Sequence, residues 1–299
     1  MKNDLIDFAL QLGFDDVKMT NIQPIYEHYA KLKKWLEKGY NAQMNFFLYN
    51  QEKRRQPNLI MENAKSIIVF AKKYHSNIKY LNNIKIAKYA LNDDYHTTIK
   101  NLLKKYSAFL LENFKANSFI FVDTAAIMEK VWATTAGLGW LGKNGLVINE
   151  KLGSFFNIGI LLTDLEIAPD IQIKNKCNSC EKCITSCPTS AIISPHIIDA
   201  NKCIAYHTIE NKDEIPDEIM SKIKQTGYIF GCDVCQNVCP FNQKVISEEN
   251  EICFDIFDVI NTKNINDFTE ENFNQIFASS AIKRTKYNKF VKLLNCLIV

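Results

Sequence analysis

Cys177-Asn-Ser-Cys180-Glu-Lys-Cys183-Ile-Thr-Ser-Cys187-Pro188 is the stretch on which the reading of this 299-residue chain turns. Its C-x2-C-x2-C-x3-C-P spacing is that of bacterial iron-sulfur centres: the x2 gaps fold a tight loop around three corners of a cubane, and the fourth thiolate comes from elsewhere. A second run, Cys232-Asp-Val-Cys235-Gln-Asn-Val-Cys239-Pro240, keeps the last three cysteines and the proline but lacks the first. Cys203, 29 residues upstream, completes it. In two-cluster domains the last cysteine of each run ligates the other cluster. The expectation is therefore two 4Fe-4S clusters, one on Cys177, Cys180, Cys183 and Cys239, the other on Cys187, Cys203, Cys232 and Cys235. Zinc also binds paired C-x2-C units, but the C-x3-C-P ending of both runs is not a zinc-ribbon spacing. Disulfides are disfavoured by a lysine-rich composition without a secretory signal.

The rest of the chain is that of a globular protein with a sizeable core. It is 47% hydrophobic with a net charge of +3, so bulk charge announces no polyanion partner. No apolar run approaches the roughly 18 residues of a membrane span, and the start, MKNDLIDFALQLGF, reads as an amphipathic helix. A cytoplasmic location is the expectation. Lys31, Lys33, Lys34, Lys38, Lys53, Arg54 and Arg55 crowd one region, and Lys283, Arg284, Lys286, Lys289 and Lys292 another; each reads as a solvated face or a phosphate-binding surface.

Hydrophobic periodicity divides the chain into three. Over residues 1–165 helical spacings (Leu5, Phe8, Ala9, Leu12; Ile25, Tyr29, Leu32, Trp35, Leu36; Ile99 to Phe114) alternate with strand-like runs at 66–71, 119–122, 146–148 and 155–162. Such alternation predicts an α/β domain. Residues 166–245 hold the cysteine runs and are loop-rich, with the clusters as staples. Residues 246–299 read as helical.

Asp123 falls where a strand meets the next helix, the edge at which open α/β sheets place their chemistry. The alternative is a helix N-cap by Asp123 or Thr124. Buried against a large apolar cofactor, such a carboxyl would be raised in pKa and could donate a proton. The loop Gly137-Leu-Gly139-Trp-Leu-Gly142-Lys143-Asn144-Gly145 contains a literal G-x-G-x-x-G, but a helical pattern precedes it and strand-like residues follow, the reverse of a dinucleotide fingerprint. It reads as a loop whose backbone closely approaches a ligand, or as a tight packing turn. His96, in Asp94-Tyr95-His96 at the start of the long helix, reads as a first-turn surface residue unless that motif lines a cleft, and His207 as a cluster-segment residue or equally a structural one; Cys253 and Cys296 read as core thiols.

Taken together, several stretches resemble epoxyqueuosine reductase over nearly the whole chain. They are Val122-Asp-Thr-Ala-Ala-Ile-Met-Glu-Lys-Val-Trp-Ala-Thr-Thr-Ala-Gly-Leu-Gly-Trp-Leu-Gly-Lys-Asn144, Leu152-Gly-Ser-Phe, the first cysteine run, Cys203-Ile-Ala-Tyr, and Tyr228-Ile-Phe-Gly-Cys-Asp-Val-Cys-Gln-Asn-Val-Cys-Pro-Phe-Asn242. The resemblance implies a nitroreductase-like cobalamin domain, a ferredoxin-like two-cluster domain and a helical C-terminal region. It also implies reduction of epoxyqueuosine to queuosine at the wobble position of tRNA, with cobalamin as the reactive centre. Asp123 matches the proton donor. Arg55, Tyr89, Gly139, Lys143, Asn144, Val147 and Ile158, together with Asp123, are the implied cofactor contacts.

Removing an epoxide oxygen to leave an alkene takes two electrons and two protons, and no side chain supplies the electrons, so clusters feeding a reducible centre suit the task. The implied partners are the anticodon stem-loop and an external low-potential electron donor; a monomer is expected. Two departures stand out: Ala125-Ala126 where relatives carry Gly-Pro, and curtailed C-terminal helical repeats after Ser280-Ala-Ile-Lys-Arg284. The competing readings are a cobalamin and iron-sulfur reductase of a small molecule, and a plain ferredoxin-type electron-transfer module.

Overall fold

Ser66–Lys73 and Phe156–Thr163 pair in the middle of a four-stranded sheet because both faces of these apolar runs are covered. The period-2 alternation of a strand sends Ile68, Phe70 and Leu161 into one core with the helices Lys2–Gln11 and Tyr95–Phe114. Ile67, Val69, Ala71, Ile160 and Leu162 go into the other, with the helix Glu129–Thr135. Asp16–Asn21 and Ser118–Phe121 complete the two edges. This computed structural model describes residues 1–91, 93–123, 126–247 and 250–298.

Every neighbouring pair in this sheet is antiparallel. The expected domain of alternating helices and strands takes the α+β form, an antiparallel sheet layered between helices. Alternating helix and strand patterns fix the layers, but strand direction depends on how long connections cross the sheet. The switch-point argument for Asp123 does not apply to such a sheet; the residue owes its place to the end of the edge strand Ser118–Phe121 and to the helix beside it.

That helix, Tyr95–Phe114, is pinned at both ends. Asp94 caps it by accepting the His96 amide at 3.0 Å, and Lys115 closes it in the left-handed conformation. Ile99, Leu103, Tyr106 and Leu110 are fully buried along one face, each contributing about 1.5–3 kcal/mol by leaving water. The result is a rigid mount whose first turn carries Tyr95 and His96.

A third core draws on all three sequence segments. Lys85–Ile86 runs parallel to Tyr228–Phe230, and Ile78–Tyr80 parallel to Ile252–Phe254. Ile84, Ile86 and Ala90 thus join Ile204, Ile223, Phe230, Phe273 and Phe290 in one hydrophobic cluster. Gly227 is required at the join: its φ is +81°, and a Cβ would lie 1.8 Å from the Asn83 carbonyl oxygen. Beyond the strand Ile252–Phe254 the C-terminal residues form the helices Ile256–Val259, Glu270–Ile276 and Tyr287–Ile298, packed through Phe268, Phe273, Phe277 and Phe290. The reading of Cys253 as a core thiol is corrected, since it lies exposed on the outlying strand Ile252–Phe254; Cys296 is half-buried. No helix among the described residues is long and apolar enough to cross a membrane.

Candidate redox and proton-transfer site

All ten cysteines are free thiols, and eight of them gather in two groups. Burial pushes the Cys183 thiol up, and the facing thiols of Cys177 and Cys239 push it further; burial, Cys177 and Cys180 do the same to Cys239. In the other group burial and the thiols of Cys232, Cys203 and Cys187 raise Cys235. Cys232 is raised by burial together with Cys203 and Cys187, and Cys203 by burial and Cys187. The neighbours are those the spacing assigns, including the exchange of Cys187 and Cys239 between the two runs. The short helices Lys182–Thr185 and Val234–Asn237 pack against each other between the groups.

Crowded thiols with raised pKa resist ionising on their own, and binding to iron, which takes the thiolate, favours loss of their protons. Among the described residues no three His, Cys, Asp or Glu side chains lie close enough to hold a single metal ion. The donor set fits a larger inorganic centre reached from its corners. Asn178, Ser179, Glu181 and Lys182 above the first group are exposed. The second group lies inward, its Cys235 thiol acting on the Lys130 ammonium beside Asp123.

Asp123 sits in a left-handed conformation, φ +51°. Its Oδ2 accepts the Tyr95 hydroxyl at 2.7 Å and faces His96 Nε2 at 3.7 Å, an ion-pair distance rather than a hydrogen bond. On its other side the His96 Nδ1 meets Asp94 Oδ1 at 2.7 Å. Asp123 does not cap the following helix, which begins only at Glu129 with Met128 as its N-cap. Thr124, the other capping candidate, and Ala125 lie outside the described residues.

Burial pushes the Asp123 carboxyl up, but His96 and Tyr95 outweigh it and hold the group below the usual carboxylate value. Asp123 in turn raises His96 against the opposing effect of burial, with Asp94 adding to it. The pair is thus ionic over a wide window, lost when pH falls through the depressed carboxyl value and again when it rises through the elevated imidazole value.

Residues 176–242 match the family model of a 4Fe-4S double cluster binding domain, and residues 54–124 that of epoxyqueuosine reductase QueG. An epoxyqueuosine reductase of Cyclobacterium marinum is 39% identical over 287 residues, 94% of this chain and 92% of that one. This chain belongs to the epoxyqueuosine reductase family. The Escherichia coli member is 32% identical over 95% of this chain and 77% of its own. The structure of the Streptococcus thermophilus epoxyqueuosine reductase superposes with a TM-score of 0.88 at 27% identity, covering 100% of this chain and 80% of that one. A structure of an epoxyqueuosine reductase with an epoxyqueuosine-modified tRNA-Tyr stem loop, 23% identical, shares the fold with a TM-score of 0.86 over 99% of this chain and 80% of that one.

The residues named from the sequence as cofactor contacts fall in several places. Tyr89 joins the Asp123 group, edge-on to Tyr95 with ring centroids 6.0 Å apart. Arg55 stacks over Tyr26 and pairs with Glu52, while its buried Nε finds no hydrogen-bond partner among the described residues. That orphaned donor fits a ligand with an amide-bearing rim, such as a corrin. Lys143 pairs with Glu181 at 3.8 Å, and buried Asn144 accepts the Leu146 amide. Val147 and Ile158 pack in the core around Trp132.

The glycine loop is a packing turn at its first half. A Cβ on Gly139 would lie 2.2 Å from the Ile148 carbonyl oxygen, so this glycine is explained without a ligand. The loop's far end reaches the site, where Lys130 Nζ donates to the Gly145 carbonyl at 3.1 Å. Neither Glu129 nor Lys130 stood out in the sequence; the available signal was their place six and seven residues after Asp123. Of the two readings of His96, its contacts with Asp123 and Asp94 favour the cleft over a plain surface position. His207 is buried, with Nε2 2.7 Å from the Asn201 carbonyl oxygen, which favours the structural one of its two readings.

The basic clusters divide. Arg54 is buried, bonds the Phe46 and Tyr49 carbonyls and lies over Phe47, and so serves packing. Lys31, Lys33, Lys34 and Lys38 are exposed on or just beyond the helix Tyr26–Glu37, none of whose residues is fully buried. Near the C-terminus Arg284 pairs with Glu210 and Lys292 with Glu214. Lys289 bonds the Asn211 carbonyl, its ammonium pushed down to about 8 by burial. Lys283 and Lys286 stay exposed.

Proposed function

We propose that this chain reduces epoxyqueuosine to queuosine in tRNA, and that Asp123, supplied with protons by its neighbours, is the acid of that reaction. The observation that carries the reading is a carboxylate held between Tyr95 and His96 at the inner end of a two-group thiol array. Opening the epoxide and expelling its oxygen as water consumes two protons. His96, protonated across the ionic window, can return a proton to Asp123 after each transfer, with Tyr95 fixing the accepting oxygen.

Asp123 is half-exposed. A large apolar ligand laid over it adds to the burial that already pushes its carboxyl up, so the acid form gains population when the site is filled. Cobalamin would supply a reducible metal centre able to deliver two electrons to the epoxide. Arg55 and Tyr89 would hold its rim, and the Lys143–Asn144 end of the glycine loop would lie beside it. The eight thiols carry two 4Fe-4S clusters. Their order, with the Cys177 group under an exposed loop and the Cys235 group beside Lys130, supports electron entry from an external low-potential donor at the first group.

The exposed lysines of the helix Tyr26–Glu37 are suited to phosphate contacts, which would make tRNA binding fall steeply with salt. Base chemistry inside the cleft requires the wobble nucleotide to be splayed out of its stack. We expect a cytoplasmic monomer. Anaerobic purification with metal analysis separates this reading from a plain electron-transfer module: about eight iron and about one cobalt per chain are expected. Full iron with no corrinoid bound would contradict the account.

A further inference from the structure

The backbone amide of Asp123 donates to Glu129 Oε1 at 2.5 Å. Glu129 is the first residue of the helix Glu129–Thr135, whose Trp132 and Ala133 are fully buried. The carboxylate is therefore mounted on a fixed element, whereas Asp123 occupies a left-handed backbone conformation, φ +51°, that non-glycine residues adopt only when something holds them there. That φ aims the Asp123 carboxyl at Tyr95 and His96. Without the amide contact the residue would relax toward the extended region, and its carboxyl would turn from both partners.

We propose that Glu129 is a positioning residue for Asp123, its carboxylate clamping the Asp123 amide so that the acid stays aimed at Tyr95 and His96. The inference rests on the reading of Asp123 as the proton donor. A clamp made by a carboxylate depends on its ionisation, because an ionised acceptor makes a hydrogen bond roughly twice as strong as a neutral one. The charged and titratable groups facing Glu129 are Asp123, Lys130 and His96, Tyr95 from the helix Tyr95–Phe114 and Arg54 from the helix Gln51–Arg55. Burial, then the Asp123 charge, push its carboxyl up to about 7, with Lys130 and His96 opposing. The clamp tightens as pH rises through that value and slackens as pH falls.

Two variants of the holoenzyme test this through two readouts. Glu129→Gln keeps a neutral acceptor without a titrating group; Glu129→Ala removes the acceptor. Amide hydrogen exchange above neutral pH, resolved to Asp123 by fragmentation mass spectrometry, should speed up about tenfold in the Ala variant, the loss expected for one hydrogen bond, and only a few-fold in the Gln variant, whose neutral acceptor keeps the bond at reduced strength. The wild-type to Gln ratio of single-turnover rates should rise about fivefold across neutral pH. Unchanged exchange at Asp123 in the Ala variant would overturn the clamp whatever the substrate. Changed exchange with a constant rate ratio would overturn its role in the reaction. Failure of wild type to turn over any epoxyqueuosine would instead count against the functional reading alone.

Discussion

Turnover by Asp123→Ala is expected to fall by about 10²–10⁴, the range that a positioned general acid contributes, while iron and corrinoid content stay at wild-type levels. Tyr95 and His96 both face Oδ2 of this one side chain, while Asp94 meets only the other ring nitrogen of His96. The backbone complicates the alanine variant, because φ +51° is costly for alanine but tolerated by asparagine. Asp123→Asn keeps the turn and the hydrogen bond from Tyr95 while removing the acid, so it should match the alanine variant in rate and wild type in thermal stability. Near-normal turnover by either variant, measured as single-turnover loss of epoxyqueuosine, would remove Asp123 from the mechanism.

The second large effect concerns Cys203, the ligand displaced from the usual run. Cys203→Ala should lower iron from about eight to about four per chain and abolish turnover, since it is the Cys235 group whose thiol acts on Lys130 beside Asp123. The structural cost is local. Cys203 precedes the helix Ile204–Ile209, and its carbonyl accepts the His207 amide at 3.1 Å, both backbone features that alanine preserves. The loss would thus report on the thiolate rather than on unfolding, and the Cys177 group should still give the electron paramagnetic resonance signal of one reduced cluster. Eight irons and two signals in the variant would show that Cys203 is no ligand.

How far these sites could be read without the fold depends on the range of the interactions that make them. The cysteine spacing is a local code, so the two groups, including the crossed Cys187 and Cys239, were legible from it. The runs at Ser66–Lys73 and Phe156–Thr163 were legible because a strand covered on both faces is continuously apolar. The strands Lys85–Ile86 and Ile78–Tyr80 were not, since two or three residues carry no periodicity and exist as strands only through partners more than 140 residues away. Strand direction in the main sheet was hidden for the same reason.

Glu129 and Arg54 show the same limit at single residues. An acid in a helix's first turn and an arginine in a Lys-Arg-Arg run both look solvated, and only the fold makes Glu129 a half-buried neighbour of Asp123 and puts Arg54 against Phe47. Cys253 fails in the other direction, an apolar-looking residue left outside on an edge.

The account stands most directly on what the purified chain does to its nucleoside. Anaerobically purified protein carrying both clusters and corrinoid, reduced by a low-potential donor, is to be incubated with tRNA bearing epoxyqueuosine, and the tRNA digested and analysed by mass spectrometry. The account predicts that epoxyqueuosine disappears and queuosine appears in equal amount, with the mass lower by one oxygen. Epoxyqueuosine persisting in full, with iron, cobalt and reductant all in place, would contradict it.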